Sequence, residues 1–297
     1  MNILKKQPDI SIGVSSWNTS ELVEEALKSI VSTAGDLDVE VTVIDDASTD
    51  GGFAHIAEKF KNDPRFLFLR NEKNTGVPSL NAALKRSNSK YILTLDSDAR
   101  LMPGTLKTLF AFMENHSEAA GATSNLLCLD GSPQFYFRRI YTPMRYFFTT
   151  PMGRFIDKYF LGLRNFNSYH YTDLDLANDP QVEQLPTACL ILRREALGSY
   201  IFDMQFPVFM PDVDLGKRIY DKGYKMYLVS AAKAIHLKSA SNSKRGKGWI
   251  DREVRSSSML YFKKHYPLLF PVVWIVGILD RFFRAILLHT IGREPAV

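Results

Sequence analysis

The tripeptide Asp96-Ser97-Asp98 places two carboxylates two residues apart, directly after the apolar run Tyr-Ile-Leu-Thr-Leu. Where a chain turns at the end of a strand, two such carboxylates can reach one hard cation. Mg²⁺ and Mn²⁺ favour oxygen ligands of this kind and commonly share them with substrate phosphates. A cation held there would neutralise a diphosphate and stabilise it as a leaving group. The pattern also occurs without any function, so its weight depends on the motifs around it.

A second acidic segment, from Asp45 to Gly51, also follows an apolar run. A carboxylate at this point can accept hydrogen bonds from a base N–H group or a ribose hydroxyl. The alternative is a loop that caps the next helix, because Ser, Thr and Asp all suit a helix N-terminus. We assign Asp46 to ligand binding and Asp50 to capping. Ser15 to Asn18 close the first apolar run, where Trp17 either lies flat on a base or packs in the core.

The elements that would position these residues alternate between strand and helix. Such alternation predicts an α/β fold with a parallel, doubly wound, Rossmann-like sheet. In these sheets ligands bind outside the carboxyl ends of the strands. Four carboxylates fall at that edge, those of Asp45, Asp46, Asp96 and Asp98. The predicted strands cover 10–17, 39–44, 66–69 and 91–95, and the predicted helices cover 20–32, 52–60, 78–86 and 103–115.

The second half of the chain is less regular. Residues 126–171 are rich in aromatic side chains and arginine, which indicates either extra elements packed on the sheet or a platform for an acceptor or a membrane. A strand is predicted at 188–192 and a helix at 213–222, which Gly223 ends. Asp212 directly precedes this helix, whose positive end favours the ionised carboxylate. It can therefore act as a general base, although a simple N-cap is the alternative.

Composition and charge limit the class of protein. The chain has 297 residues, 45% of them hydrophobic and 23% charged, as in folded globular proteins. Cys128 and Cys189 lie in apolar surroundings, which predicts buried thiols and a reducing compartment. The first nine residues show no signal-peptide pattern. The net charge is +5, but residues 238–297 alone carry +7 and the remainder −2, which indicates an anionic membrane surface rather than nucleic acid as a partner.

The C-terminal segment 268–297 contains apolar runs that Asp280 and nearby arginines interrupt. A bilayer-spanning helix needs roughly 20 uninterrupted apolar residues, so spanning is not expected. We predict instead an amphipathic helix that lies in the membrane interface. The alternative is a terminal helix packed on the domain or in the interface of a homodimer. The predicted interfacial anchors are Trp274, Phe282 and Phe283.

Several short motifs follow one another along the chain. The first half contains Ser-Ser-Trp-Asn at 15–18, Val-Ile-Asp-Asp-Ala-Ser-Thr-Asp-Gly at 43–51, Asn74 and Gly76 with Asn81, and Asp-Ser-Asp at 96–98. The second half contains Leu-Asp-Gly-Ser at 129–132, Phe-Arg-Arg at 137–139, Tyr-Thr-Pro at 141–143, Ala-Cys-Leu-Ile-Leu-Arg-Arg-Glu-Ala-Leu at 188–197 and Asp-Val-Asp-Leu at 212–215. The ordered set resembles the family 2 glycosyltransferases with the GT-A fold, in their rhamnosyltransferase-like branch.

This resemblance implies a role for each matching position. Asp98 would ligate a divalent metal, Mg²⁺ or Mn²⁺, and Asp96 would contact the metal or the ribose. Asp46, alone or with Asp45, would hold the base, and Asp212 would be the general base that activates the acceptor hydroxyl. The nucleotide-sugar donor would also be bound by Ser15, Trp17 and Asn81.

Two further positions complete the implied site. His236 would reach the metal or the diphosphate, whereas without the resemblance a histidine after a strand-like run more often packs in the core. The family usually carries Glu immediately before the base, where this chain has Pro211. That difference leaves Asp212 in place but puts an acceptor contact in doubt.

The sequence therefore predicts an inverting glycosyltransferase, with a transferase domain at 1–267 and a membrane-associating tail at 268–297. Residues 1–125 would bind the donor, a UDP-, dTDP- or GDP-sugar, and residues 126–267 a glycan or lipid-linked saccharide acceptor. The predicted location is cytoplasmic, peripheral on the inner face of the cell membrane. One alternative is an inactive nucleotide-sugar-binding or scaffold homologue. Another is a nucleotidyltransferase, which the lack of a glycine-rich basic loop near the first strand argues against.

Overall fold

The computed structural model describes residues 7–163, 168–171, 174–237 and 246–291. The chain divides into two compact units. The first contains the described residues of Met1–Phe137 and Leu174–Gly246, and the second those of Arg138–Asp173 and Lys247–Val297. The predicted functional boundary between residues 267 and 268 is not tested by this division and stays a prediction.

Strands and helices alternate in the order that the hydrophobic patterns predict. The strands of the described residues are β1 (Ile10–Ser16), β2 (Val39–Asp45), β3 (Phe66–Arg70), β4 (Tyr91–Asp96), β5 (Ala99–Leu101), β6 (Ala119–Leu127), β7 (Gln181–Val182), β8 (Cys189–Arg193) and β9 (Lys225–His236). The α-helices are α1 (Ser20–Thr33), α2 (Gly52–Phe60), α3 (Asn81–Arg86), α4 (Thr105–Asn115), α5 (Pro143–Thr149), α6 (Pro151–Ile156), α7 (Arg194–Leu197), α8 (Pro211–Asp221), α9 (Lys247–His265) and α10 (Phe270–Ile291). A 3₁₀ turn at Val77–Leu80 leads into α3, and a π turn at Asp157–Leu161 follows α6.

These strands form one sheet in the order β3-β2-β1-β4-β8-β6-β9-β5, with β7 paired to β9. The group β3-β2-β1-β4 is parallel throughout, as strand–helix alternation predicts. β6 and β9 are also parallel, whereas β8, β5 and β7 join antiparallel to their neighbours. The predicted α/β class with a mostly parallel, Rossmann-like sheet is confirmed.

Helices cover both faces of the first unit's sheet. Ile12 and Val14 of β1 are buried in a core that also contains apolar residues of α1, α2 and α4. Gly13 lies between them and points to the opposite face, because side chains alternate along a strand. A Cβ atom at Gly13 would lie 2.9 Å from the Cβ of Ala83 in α3. Glycine at this position therefore lets α3 pack closely on β1, and the sheet is doubly wound.

Three strands escaped the sequence patterns. β6 is buried along nearly its whole length, and a strand buried on both faces shows no polar–apolar alternation. β5 has three residues and β7 has two, whereas β9 was indicated as a strand-like run before His236. By contrast, β8 and α8 begin and end within two residues of their predicted bounds, and Gly223 ends α8 with a φ of +77°. Cys189 is buried as predicted, whereas Cys128 is half-buried, which corrects that prediction.

The second unit is built around a cluster of aromatic rings. Tyr141 precedes α5 and Tyr146 lies within it, and the centres of their rings are 5.1 Å and 5.2 Å from that of Phe262 in α9. Burial raises the pKa of the Tyr141 hydroxyl to about 12. The aromatic-rich segment that follows Phe137 thus supplies part of a helical core. Among the described residues, no helix combines the length and apolar character needed to cross a bilayer.

Candidate functional site

The register of β1 with its two neighbours brings predicted ligand residues to one edge of the sheet. Ser16 pairs with Asp45 of β2, and Ser15 pairs with Asp96 of β4. The strand order reverses here, because β2 and β3 lie on one side of β1 and β4 lies on the other. Ligands of open α/β sheets bind in the crevice at such a reversal.

Asp96, Asp98 and His236 form the centre of the site. β4 ends at Asp96, the chain turns, and β5 then pairs antiparallel with β9 so that Ala99 lies opposite His236. The Nε2 atom of His236 is 3.4 Å from an oxygen of Asp98 and 4.0 Å from an oxygen of Asp96. One ligand atom from each of the three side chains lies within 4.8 Å of the other two. The structure therefore brings together all three predicted metal ligands.

The chemistry of this donor set fits a divalent cation. Carboxylate oxygens suit Mg²⁺ and Mn²⁺ alike, and the added imidazole nitrogen favours a transition ion such as Mn²⁺ over Mg²⁺. Burial, followed by the negative charge of Asp98, raises the pKa of the Asp96 carboxyl to about 6. The charge of Asp212 acts in the same direction, and His236 opposes it. A bound cation would relieve the repulsion among these carboxylates.

Gln134 fixes the orientation of His236. The chain turns at 128–132, where Cys128 N–H donates to the Ser132 carbonyl, and then runs back beside β6. This return places Gln134 next to β9, where its Nε2 donates to the His236 carbonyl oxygen at 2.7 Å and its Oε1 is 2.9 Å from the His236 Nδ1. With Oε1 as acceptor, Nδ1 carries the proton. The lone pair of Nε2 then faces the two aspartates, as a metal ligand requires.

Asp212 lies in the first turn of α8, after Pro211 at the first helical position. Proline is favoured there because its fixed φ suits the helix and its missing N–H would have no partner inside the helix. The Asp212 Oδ2 accepts a hydrogen bond of 2.9 Å from Nε2 of Gln184, a buried side chain. The predicted base is therefore held in one orientation in the first turn of α8.

The carboxylate of Asp46 is occupied by bonds inside the protein. It is 1% exposed and accepts from the Asn71 side chain, from the backbone N–H and hydroxyl of Thr75, and from the N–H of Gly76, at 2.7–3.0 Å. Asp45, fully buried, accepts from Ser48 N–H and pairs with Arg70 at 3.0 Å. These contacts organise the loop after β2, and a role of either aspartate in holding the base stays a prediction.

Three further predicted donor contacts differ in their surroundings. The Asn81 side chain accepts from the N–H groups of Ile201 and Phe202 and donates to the Phe202 carbonyl, all at 2.7–2.9 Å. It therefore fastens the 201–202 segment. The Ser15 hydroxyl lies 2.7 Å from that of Ser79, and Trp17 is half-buried at the end of β1. Their contacts with a donor remain predictions.

Backbone strain is concentrated at this edge of the sheet. Among the described residues, four non-glycine residues adopt positive φ, and three of them are Asn18 after β1, Ala47 after β2 and Met210 before α8. Such conformations cost of order 1–3 kcal/mol each and cluster at functional sites. Asn18 is held by Ser48 and Thr49, which ties the loops after β1 and β2 together.

Gly76 allows two distant segments to touch. Its φ is +71°, and a Cβ atom there would lie 1.9 Å from the carbonyl oxygen of Pro207. The next residue, Val77, donates its backbone N–H to the same oxygen at 2.8 Å. Only glycine fits this approach, which explains the glycine of the Asn74–Gly76 motif.

Two residues of this arrangement, Gln134 and Gln184, were missed in the sequence. Neither stands in a spacing that predicts chemistry, and each reaches its partner through the tertiary structure. Both are buried, and a buried glutamine needs hydrogen-bond partners. Burial of a long polar side chain is the signal that identifies them, and it requires the fold.

Comparison with known proteins places these observations in a family. The family model described as Glycosyl transferase family 2 matches residues 11–198. An uncharacterized glycosyltransferase of Haemophilus influenzae is 30% identical over 118 residues, which are 39% of this chain and 36% of that protein. The poly(ribitol-phosphate) beta-N-acetylglucosaminyltransferase TarS of Staphylococcus aureus is 33% identical over 109 residues, 36% of this chain and 19% of TarS. Chondroitin synthase of Escherichia coli is 33% identical over 124 residues, 41% of this chain and 18% of that protein, so the matches span little more than a third of these relatives at most.

Solved structures share the fold. A crystal structure of S. aureus TarS superimposes with a TM-score of 0.54 at 19% identity, over 92% of this chain and 79% of that one. TarS in complex with UDP gives 0.53 at 20% identity, over 86% and 72% of the two chains. GalNAc-T7 with UDP, GalNAc and Mn²⁺ gives 0.56 at 12% identity, over 78% and 44%.

Proposed function

This chain belongs to glycosyl transferase family 2, and on that premise we propose that it transfers a sugar from a nucleoside diphosphate sugar to a hydroxyl group of a saccharide acceptor. The observation that carries the proposal is the cluster of Asp96, Asp98 and His236 at the reversal of strand order. Two carboxylates and an imidazole at that edge suit a divalent cation that binds a diphosphate.

The residues that would hold the cation and the residue that would act as base lie on separate elements of the first unit. Asp98 and His236, with Asp96, would hold the cation, which when bound neutralises the diphosphate leaving group. Asp212 takes the proton of the acceptor hydroxyl as that oxygen attacks the anomeric carbon. Gln184 holds one oxygen of Asp212 and so fixes the orientation in which the carboxylate meets the acceptor. A single displacement of this kind inverts the anomeric configuration.

A UDP-sugar is the donor that we propose first. Support comes from the shared fold with TarS in complex with UDP and with GalNAc-T7 bound to UDP and Mn²⁺. The dTDP- and GDP-sugars predicted beside it are tested in the same assay. For the acceptor we propose a glycan or a lipid-linked saccharide. The support is that the relatives are named as a poly(ribitol-phosphate) beta-N-acetylglucosaminyltransferase and a chondroitin synthase.

The test is metal-dependent release of nucleoside diphosphate. The full chain is incubated with UDP-, dTDP- and GDP-sugars, with Mn²⁺ or with EDTA, and free nucleotide is measured. We expect UDP to be released in the presence of Mn²⁺ and not in the presence of EDTA. NMR of the glycosylated product should show that the anomeric configuration is inverted relative to the donor. Binding of a nucleotide sugar without release, in the presence of candidate acceptors, would favour the inactive scaffold. Release of inorganic pyrophosphate from a nucleoside triphosphate would favour the nucleotidyltransferase.

A further inference from the structure

Exposed apolar side chains are concentrated in the second unit. Of the twenty large apolar side chains that are exposed among the described residues, fourteen belong to this unit, which is the smaller of the two. Scattered exposed apolar residues are normal on a protein surface, but a contiguous set marks an interaction site.

Helix α10 has two faces of different character. Val273 and Asp280 are buried, and the Asp280 carboxylate accepts from Met152 N–H at the start of α6 and from Arg284. Gly277, on the same face, allows the Tyr146 hydroxyl to approach. The opposite face carries an exposed row at alternating spacings of three and four residues, each member 49–65% exposed. This row, the α10 stripe, consists of Val272, Ile275, Leu279, Phe282 and Ile286.

A second exposed apolar segment adjoins α10. Phe155 at the end of α6 packs its ring 5.4 Å from that of Phe283 in α10. Beyond it, the π turn and the residues after it expose four more large apolar side chains. The α10 stripe and this segment are therefore joined within one unit. The segment spans residues 155–163, and the four side chains beyond Phe155 are Tyr159, Phe160, Leu161 and Leu163.

Positive charge accompanies this apolar surface. The two chain segments of the second unit carry fourteen Lys and Arg against six Asp and Glu, a net charge of +8, so the rest of the chain carries −3. Lys158 lies inside the exposed apolar segment, and Arg281 lies between buried Asp280 and exposed Phe282; both are exposed. Apolar side chains mixed with cations match a lipid surface with anionic headgroups.

We propose that the α10 stripe and the segment 155–163 dock on an anionic lipid bilayer, with α10 lying along the membrane interface. The 22 residues of α10 extend about 33 Å at 1.5 Å per residue, which provides a long line of apolar contacts. A second copy of the chain is a poorer occupant of this surface, because it would bring two strongly positive units together. The inference does not depend on the proposed sugar transfer.

The experiment measures binding of the full chain to vesicles of equimolar phosphatidylcholine and phosphatidylglycerol by cosedimentation. Ile275→Glu with Phe282→Glu should weaken binding by about tenfold or more, since each change removes a large apolar side chain from lipid. The matched control is Leu67→Glu with Met204→Glu, which makes the same chemical change at exposed positions of the first unit. This control should bind as the unchanged chain does.

Two further arms distinguish a lipid partner from a second copy of the chain. Lys158→Glu with Arg281→Glu alters exposed cations alone, so it tests the surface even if the apolar variant fails to fold; we expect binding to fall and to lose part of its salt dependence. Vesicles of phosphatidylcholine alone should bind the unchanged chain less tightly. Equal binding by the stripe variant and its control, or no binding of the unchanged chain to anionic vesicles, would overturn the proposal. A lipid-free dimer that the stripe variant converts to a monomer would assign the surface to a second copy instead.

Discussion

Asp46 and Asp96 lie at the same edge of one sheet, on either side of β1, yet their carboxylates are in opposite situations. Asp46 accepts hydrogen bonds from Asn71, Thr75 and Gly76. For Asp96, burial and then the negative charges of nearby Asp98 and Asp212 raise the pKa of the carboxyl to about 6. Residue type and position along the strand are thus nearly the same, but the protein satisfies one carboxylate itself and leaves the other under repulsion.

The contrast predicts which acids at this edge bind ligands and which organise loops. A carboxylate whose lone pairs are taken up by backbone and side-chain donors organises a loop, and a ligand would have to displace those donors. A carboxylate with a pKa raised by burial and like charge indicates a site for a cation or a proton. Substitutions of acids of both kinds, and of the side chains that hold them, test this contrast.

Asp98→Asn should nearly abolish sugar transfer. A bound cation supplies several kcal/mol of charge stabilisation to the leaving group, so we expect a loss of about 10³-fold or more. Calorimetry should show Mn²⁺ affinity falling in parallel. The matched change Asp46→Asn should leave Mn²⁺ affinity nearly unchanged. Full activity of Asp98→Asn at saturating Mn²⁺ would remove this residue from the metal site.

Asp212→Asn should lower turnover by roughly 10²–10⁴, the usual range for loss of a general base. The amide is nearly the same size and can still accept from Gln184, so the fold and donor binding should survive. Asp221→Asn at the exposed end of the same helix is the control and should retain activity. A product with retained anomeric configuration would contradict this assignment, even if turnover fell.

Gln134→Leu should weaken Mn²⁺ binding by about 10–100-fold, as loss of a residue that orients a metal-ligating histidine does. Affinity for a metal-free nucleotide should change much less, and this difference distinguishes an orienting role from general damage. Gln205→Leu, at an exposed position of the same unit, is the control. Unchanged Mn²⁺ affinity in a folded Gln134→Leu protein would show that His236 needs no such support.

Asp46→Asn and Asp96→Asn should change the free energy of unfolding in opposite directions in metal-free protein. The amide at 46 turns one acceptor into a donor among buried N–H groups, which should cost about 2–4 kcal/mol. The amide at 96 removes like-charge repulsion and should raise stability by a smaller amount. Urea unfolding of both variants, with exposed Asp36→Asn as the reference, measures the two effects. A loss of stability in both variants would show that the carboxylate of Asp96 is also stabilised by the protein.

The smallest expected effect is a pH dependence of metal-free stability. Asp96 has a pKa near 4 when unfolded and about 6 when folded. The folded state therefore binds the proton more tightly, and this contribution is complete below pH 4 and lost as the pH rises through about 6. About a third of the side chain is exposed, so water moderates the change. Melting curves between pH 4 and 7 should show this slope in the unchanged chain and a flatter one in Asp96→Asn.

Local patterns in the sequence predicted the first half of the fold well. The bounds of α2 agree at both ends, and β1, β2 and β4 each end within one residue of prediction, because amphipathic periods and strand-end acids are local signals. The metal ligands Asp98 and His236 were identified through motifs, although 138 residues separate them in the numbering. The hydrogen bonds that saturate Asp46, and the roles of Gln134 and Gln184, depend on loops that meet only in the folded chain. No local sequence pattern predicts these contacts between distant loops.

The backbone bond between Val77 and Pro207 has a consequence for motion. It fastens the loop held by Asp46 to the segment that leads into Met210 and Asp212, and Gly76 leaves no room between them. If either segment opens, this hydrogen bond either breaks or moves the other segment with it. We therefore expect the two segments to open as one cooperative unit. The Val77 amide should then show the same protection against hydrogen exchange as the Asp214 amide, which donates to the Met210 carbonyl in the first turn of α8. Anything that orders one segment would in that way reduce the entropy that the other still has to lose.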